Sequence, residues 1–123
     1  MIEQYSFSGE DFEVLKKCEN WKIGFLRYSE RFSGFKQLER HLRTDEAFIL
    51  LDGRAVLYTE DEQHEMKKCT LYNIPKGVWH HIVVSCDATV MVVENADTSA
   101  ENTEKRTIVK MKITGEDENF VDL

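Results

Sequence analysis

From Trp21 onward the side chains change character at every residue. Trp21, Ile23 and Phe25 alternate with Lys22, Gly24 and Leu26. A period of two buries one face of a strand and cannot form the apolar stripe of a helix. Short apolar or alternating runs recur at 35–42, 46–51, 54–59, 70–74, 78–85 and 89–94. Turn chemistry separates them: Asp52-Gly53, Pro75-Lys76-Gly77 and Cys86-Asp87-Ala88. About eight short strands at this spacing, with no βαβ rhythm and no internal repeat, predict an all-β antiparallel jelly-roll sandwich or barrel. Residues 46–51 are apolar at nearly every position, which predicts a strand buried on both faces with a hairpin at Asp52-Gly53.

The segment before Trp21 reads differently. Ser8 suits a helix N-cap, Glu10 and Asp11 suit a first turn, and Lys16 and Lys17 suit a last turn. Phe12, Leu15 and Cys18 then fall at helical spacing, so a short N-terminal helix is expected. Residues 60–68 read as a solvated tip with an exposed His64, and 95–106 as polar and irregular. Val109, Met111 and Ile113 alternate once more, ahead of a loosely held acidic tail at 115–123.

The chemistry concentrates in two stretches. On a strand Phe35, Gln37, Glu39 and His41 share one face, so Glu39 and His41 point the same way. Glu46 opens the next strand, and His80 follows the Pro75-Lys76-Gly77 turn. Two Glu and two His form a borderline nitrogen–oxygen donor set suited to Mn, Fe, Co, Ni or Zn. A two-His, one-carboxylate subset leaves open positions for substrate or O₂. The alternatives are ordinary: Glu39 paired with Arg40 or Arg43, hydrogen-bonded core histidines, and an exposed Glu46 beside Asp45. His81 should face away from His80, as a surface or interface residue. Phe48, Tyr58 and Trp79 either wall a pocket or pack in the core. Arg27, Arg31, Arg40 and Arg43 either orient an acidic substrate or form a solvated face.

These residues resemble the cupin superfamily, in the manner of small single-domain RmlC-like proteins. The spacing His41-x4-Glu46-x6-Gly53 follows the second half of the family's first motif, and Pro75-x-Gly77-x2-His80 follows the centre of the second. The match spans roughly 34–95 of a single domain at 1–123. It departs where Glu39 stands for the first histidine, Cys69 for an opening glycine and Val84 for a closing asparagine. The resemblance implies a jelly-roll β-barrel in which His41, Glu46 and His80 hold a divalent transition metal, with Glu39 as a fourth ligand. It implies action on a small polar metabolite such as a sugar or organic acid, by isomerase, epimerase or dioxygenase chemistry. The alternative is a non-catalytic ligand-binding or sensor module without a competent metal site, with Glu39 tied to an arginine. The family also pairs through outer sheets, so a homodimer is expected, with Leu38 and Leu42 as candidate contacts.

Composition narrows the classes further. A net charge of −7 across 123 residues gives no basic face for nucleic acid and little attraction to anionic membranes. No apolar run approaches the ~18 residues of a membrane span. Met1 to Ser6 lacks the pattern of a signal peptide. Cys18, Cys69 and Cys86 are odd in number and form no C-x-x-C pair, which suits reduced thiols in the cytoplasm.

Overall fold

The computed structural model describes residues 1–107. Among the described residues, ten strands form two five-stranded antiparallel sheets that face each other across one core. In chain order they are β1 (Phe12–Cys18), β2 (Trp21–Arg27), β3 (Gln37–His41), β4 (Glu46–Asp52) and β5 (Ala55–Thr59). There follow β6 (Gln63–Glu65), β7 (Leu71–Ile74), β8 (His80–Val84), β9 (Thr89–Asn95) and β10 (Thr103–Thr107). One sheet runs β1-β2-β9-β4-β7 and the other β10-β3-β8-β5-β6. The only helical turns among the described residues are short 3-10 segments at Glu30–Phe32 and Ala100–Asn102.

Between the sheets lie Leu26, Phe48, Leu50, Leu57, Ile82, Val90 and Val92, all buried. Each such side chain removed from water stabilises the fold by roughly 1.5–3 kcal/mol. On β4 and β9 the alternation is strict: Glu46, Phe48 and Leu50 point inward with Val90, Val92 and Glu94. A second cluster of Phe35, Leu38, Val56, Tyr58 and Val83 lies on the other face of the β3-β8-β5 sheet, against Trp79.

Several expectations change. The N-terminal helix is a strand: β1 pairs along β2 from Phe12↔Leu26 to Cys18↔Trp21. A register shift between Val14 and Lys16 marks a bulge. The bulge breaks the period of two and leaves Phe12 and Leu15 three residues apart, the spacing that looked helical. Strand β4 is buried on one face only, since Ala47 and Ile49 are half-buried and Leu51 is 42% exposed.

The turn at Asp52-Gly53 is a corner between sheets, because β4 pairs with β7 and β9 while β5 pairs with β6 and β8. Arg54 N–H donates to Ser85 Oγ at 2.9 Å, and Ser85 N–H donates to Arg54 O at 2.9 Å, closing that corner. Leu38 is 3% exposed inside the second cluster, so it packs within the chain instead of standing free on an outer face; Leu42 is 45% exposed. The alternating stretch beyond residue 107 and the acidic tail lie outside the described residues.

Candidate metal centre

Strand β3 carries Gln37, Glu39 and His41 into the space between the sheets, as period two requires. Gly77 N–H donates to His41 O at 2.8 Å, which ties the end of β3 to the turn before β8. Glu39 is the register partner of His80, so β3 and β8 bring Glu39, His41 and His80 together. Strand β4 approaches from the opposite sheet with Glu46. Its Oε1 lies 2.9 Å from His41 Nε2 and 3.0 Å from His80 Nε2. His41, Glu46 and His80 are all buried.

Glu39 stands slightly apart, with Oε1 3.9 Å from His41 Nε2 and a side chain 22% exposed. It is not tied to an arginine: Arg40 pairs with Glu104 and Arg43 with Asp97. All four sequence candidates therefore line one cavity of about 270 Å³.

The structure adds Glu94 to this group. It sits opposite Glu46 across the β4–β9 ladder, and ligand atoms of His41, Glu46 and Glu94 lie within 4.8 Å of one another. Glu39, His41 and His80 form a second such group, so His41 is shared. The signal for Glu94 was present: it is the third inward position after Val90 and Val92 in an otherwise apolar strand. Thr103 falls within 95–106, whose polar sequence predicts no strand. It lies opposite His41 on β10, and its Oγ1 shares a 2.9 Å hydrogen bond with His41 Nδ1.

The charges are strongly linked. Burial opposes ionisation of Glu46, yet hydrogen bonds from His41 and His80 hold it well below the usual carboxylate range. Burial likewise opposes charge on His41, but the hydrogen bond to Glu46 and the nearby Glu46, Glu39 and Glu94 charges outweigh it and raise its pKa. Burial and the neighbouring Glu46 push Glu94 up to about 8, against the pull of Lys22 at 3.8 Å.

His80 shows what the site can accept. Its Nδ1 lies 3.0 Å from the carbonyl oxygen of Val78, which can only accept, so Nδ1 carries a proton. In neutral His80 the inward Nε2 is then a bare lone pair facing a carboxylate oxygen. Only a shared cation, either a proton or a metal ion, resolves that contact. A nitrogen–oxygen donor set whose other ring nitrogens are held by Val78 O and Thr103 Oγ1 suits a divalent transition metal. Donor separations of 2.9 and 3.0 Å also approach the edge of about 3.0 Å of an octahedron with bonds near 2.1 Å. The residues fit the ion.

Other candidates fall elsewhere. His81 is 8% exposed rather than on the surface, donates Nε2–H to Gly34 O at 2.9 Å, and faces the rings of Phe32 and Phe35. His64 is exposed beside Glu62. Phe48 walls the cavity, whereas Tyr58 and Trp79 pack in the second cluster. Of the arginines, Arg31 lines the cavity; Arg27 lies over Phe7 and Arg40 over Trp79.

No family model and no curated protein matches the chain. Solved structures do match. An RmlC-like cupin with a double-stranded β-helix fold from Methanocaldococcus jannaschii is 22% identical, with a TM-score of 0.60, over 77% of this chain and 92% of that one. A cupin-2 domain protein from Shewanella frigidimarina is 21% identical, with a TM-score of 0.59, over 72% and 84%. The Streptomyces nucleoside dehydratase Pac13 is 14% identical, with a TM-score of 0.65, over 90% and 96%. At these identities the likeness is one of fold, and that fold is the double-stranded β-helix of the cupins.

Proposed function

We propose that the protein is a metal-binding cupin that binds, and acts on, a small polar metabolite of the sugar or organic-acid class. His41, Glu46 and His80 would hold one divalent transition metal ion, with Glu94 or Glu39 as a further ligand. The observation that carries the reading is the meeting of two imidazole Nε2 atoms on one oxygen of Glu46, with His80 Nδ1 already committed to Val78 O. When bound, the ion would supply Lewis acidity to a carbonyl or hydroxyl of the ligand.

The chain's own residues would do the rest. Thr103 and Val78 hold the two imidazole rings in orientation. Phe12, Phe32, Phe48 and Val92 give the inner cavity an apolar wall. Where Glu94 is the further ligand, Glu39, part-exposed beside His41, is the carboxylate placed to move a proton at the ligand. Proton transfer next to a carbonyl favours isomerisation or epimerisation within this class.

A second reading has its own support. Glu46 is held well below the usual carboxylate range while Glu94 is pushed up to about 8, the divergence that makes a base and an acid. Pac13, of the same fold, is a nucleoside dehydratase, and elimination of water needs such a pair. Cobalt(II) titration of EDTA-treated, buffer-exchanged protein separates the two readings. The metal reading expects saturable visible absorption at one equivalent that is lost in His41→Ala/His80→Ala. Absence of that signal in the parent leaves the acid–base reading.

We also propose cytoplasmic residence, supported by three exposed free thiols at Cys18, Cys69 and Cys86. The partner we propose is a second copy of the chain, seated on the outer face of the β1-β2-β9-β4-β7 sheet. Register aligns Phe25, Met91, Ile49 and Leu71 into one apolar row across four strands of that face.

A further inference from the structure

We propose that the cavity takes a ligand bearing a carboxylate or phosphate group, gripped near the mouth by Lys105 and Arg31. The opposite end of that ligand would lie against the His41, Glu46 and His80 cluster. The inference rests on the proposed function for which end reacts, while the grip itself stands on separate residues.

The wall between β3 and β10 is a ladder of polar pairs. His41 lies opposite Thr103, Glu39 opposite Lys105, and Gln37 opposite Thr107. Thr103 points inward, since its Oγ1 reaches His41 Nδ1 at 2.9 Å. Two residues on, Lys105 shares that face, and both line the cavity. The intervening residues point the other way: Glu104 pairs with Arg40, and Arg106 lies over the Trp79 ring and reaches Glu60 at 2.8 Å.

The cations of β3, β10 and the adjoining loops differ in what they already do. Arg40, Arg43 and Arg106 are each held by a carboxylate. Among the described residues the Lys105 side chain forms no hydrogen bond and no ion pair. Arg31 is loosely held, 3.6 Å from an exposed Asp11 carboxylate, with its guanidinium stacked 4.7 Å over Phe32. A stacked guanidinium keeps its in-plane N–H groups free for a carboxylate or phosphate. In a chain of net charge −7, two such cations over a cavity containing three glutamates give an anion a specific place to dock.

Thr103 and Lys105 are two residues apart on β10, about 6.8 Å along the strand, so the grip and the His41 cluster are separate points on one wall. A small molecule with its anionic group at one end fits that arrangement: a short dicarboxylate or hydroxy acid, or a small phosphorylated sugar.

The test uses EDTA-treated, buffer-exchanged protein at constant ionic strength. Sodium succinate, inorganic phosphate and glucose are titrated separately, following the Thr103 and Lys105 amides and the Arg31 Nε–H by ¹H–¹⁵N NMR. Saturable shifts are expected with succinate, phosphate or both, none with glucose, and weakening of roughly tenfold in Lys105→Gln and in Arg31→Gln. The preferred anion distinguishes a carboxylate from a phosphate ligand. No saturable shift with either anion, or shifts unchanged in Lys105→Gln, would overturn the proposal. Zinc titration of the same samples keeps the two claims apart. Protein that binds succinate or phosphate but no zinc retains the grip and loses the metal reading; protein that binds zinc without an anion response loses the grip.

Discussion

Glu46 gathers the centre because one of its oxygens meets the Nε2 atoms of both imidazoles, and each imidazole is steered from behind. The Thr103 hydroxyl bonds His41 Nδ1 at 2.9 Å, so its part in the proposed centre is to orient that ring. Thr103→Val keeps the shape and removes the hydroxyl. The variant should lower metal affinity roughly tenfold with little change in melting temperature, measured by competition with a chromophoric chelator.

His81 makes a different pH prediction. Burial, outweighing the hydrogen bond to Gly34 O, pushes its pKa down to about 4, with smaller downward contributions from His80 and Arg31. The folded state therefore binds fewer protons than the unfolded chain between about 4 and 6.5, and stability falls as pH falls through that window. The contribution is fully present above 6.5. Urea unfolding of the parent should lose about 2 kcal/mol from this group between pH 7 and pH 5, and His81→Gln should show a correspondingly shallower fall.

At the scale of elements, two turns carry conformations that their residues suit unequally. Gly53 has φ +72°, and an added Cβ would lie 2.6 Å from Ala88 Cα across the corner between sheets. Gly53→Ala should cost more than about 2 kcal/mol, since neither backbone can yield without opening the Arg54–Ser85 pair. Cys69 has φ +60° and is exposed. It stands where the family motif opens with glycine, and the backbone has kept the glycine conformation. Cys69→Gly should stabilise the protein by about 0.5–1 kcal/mol, read from chemical denaturation.

The same elements explain what could be read in advance. Alternation predicts β2 and β3, and short apolar runs bounded by turn residues predict β5, β8 and β9; β5 and β8 are buried on both faces, between the two clusters. Alternation failed at β1, where a bulge imitates helical spacing. It also failed at β10, where Thr103 to Thr107 is polar throughout and its partner β3 is remote in sequence. His41, Glu46 and His80 were legible from motif spacing. Glu94 and Thr103 were not, since their roles come from cross-strand neighbours that no local pattern encodes.

For the whole molecule, the two sheets differ in their outer faces. That of β3-β8-β5 is closed over Leu38, Val56 and Val83. The outer face of the other sheet exposes Leu71 at 60% and Leu51 at 42%, beside half-buried Ile49, Met91 and Phe25. A second copy related by a two-fold axis would cover this row. Light scattering should give twice the chain mass for the parent and the single-chain mass for Ile49→Lys, with the circular dichroism spectrum unchanged. A single-chain mass for the parent at tens of micromolar would count against the pairing.

Occupancy of the buried His41, Glu46 and His80 cluster by a metal ion is read by elemental analysis of untagged protein, reconstituted in turn with Mn, Fe, Co, Ni and Zn, beside His41→Ala/His80→Ala. About one equivalent of at least one of these metals is expected per parent chain, and less than about a tenth in the double variant. A folded parent that retains none of the five would contradict that occupancy.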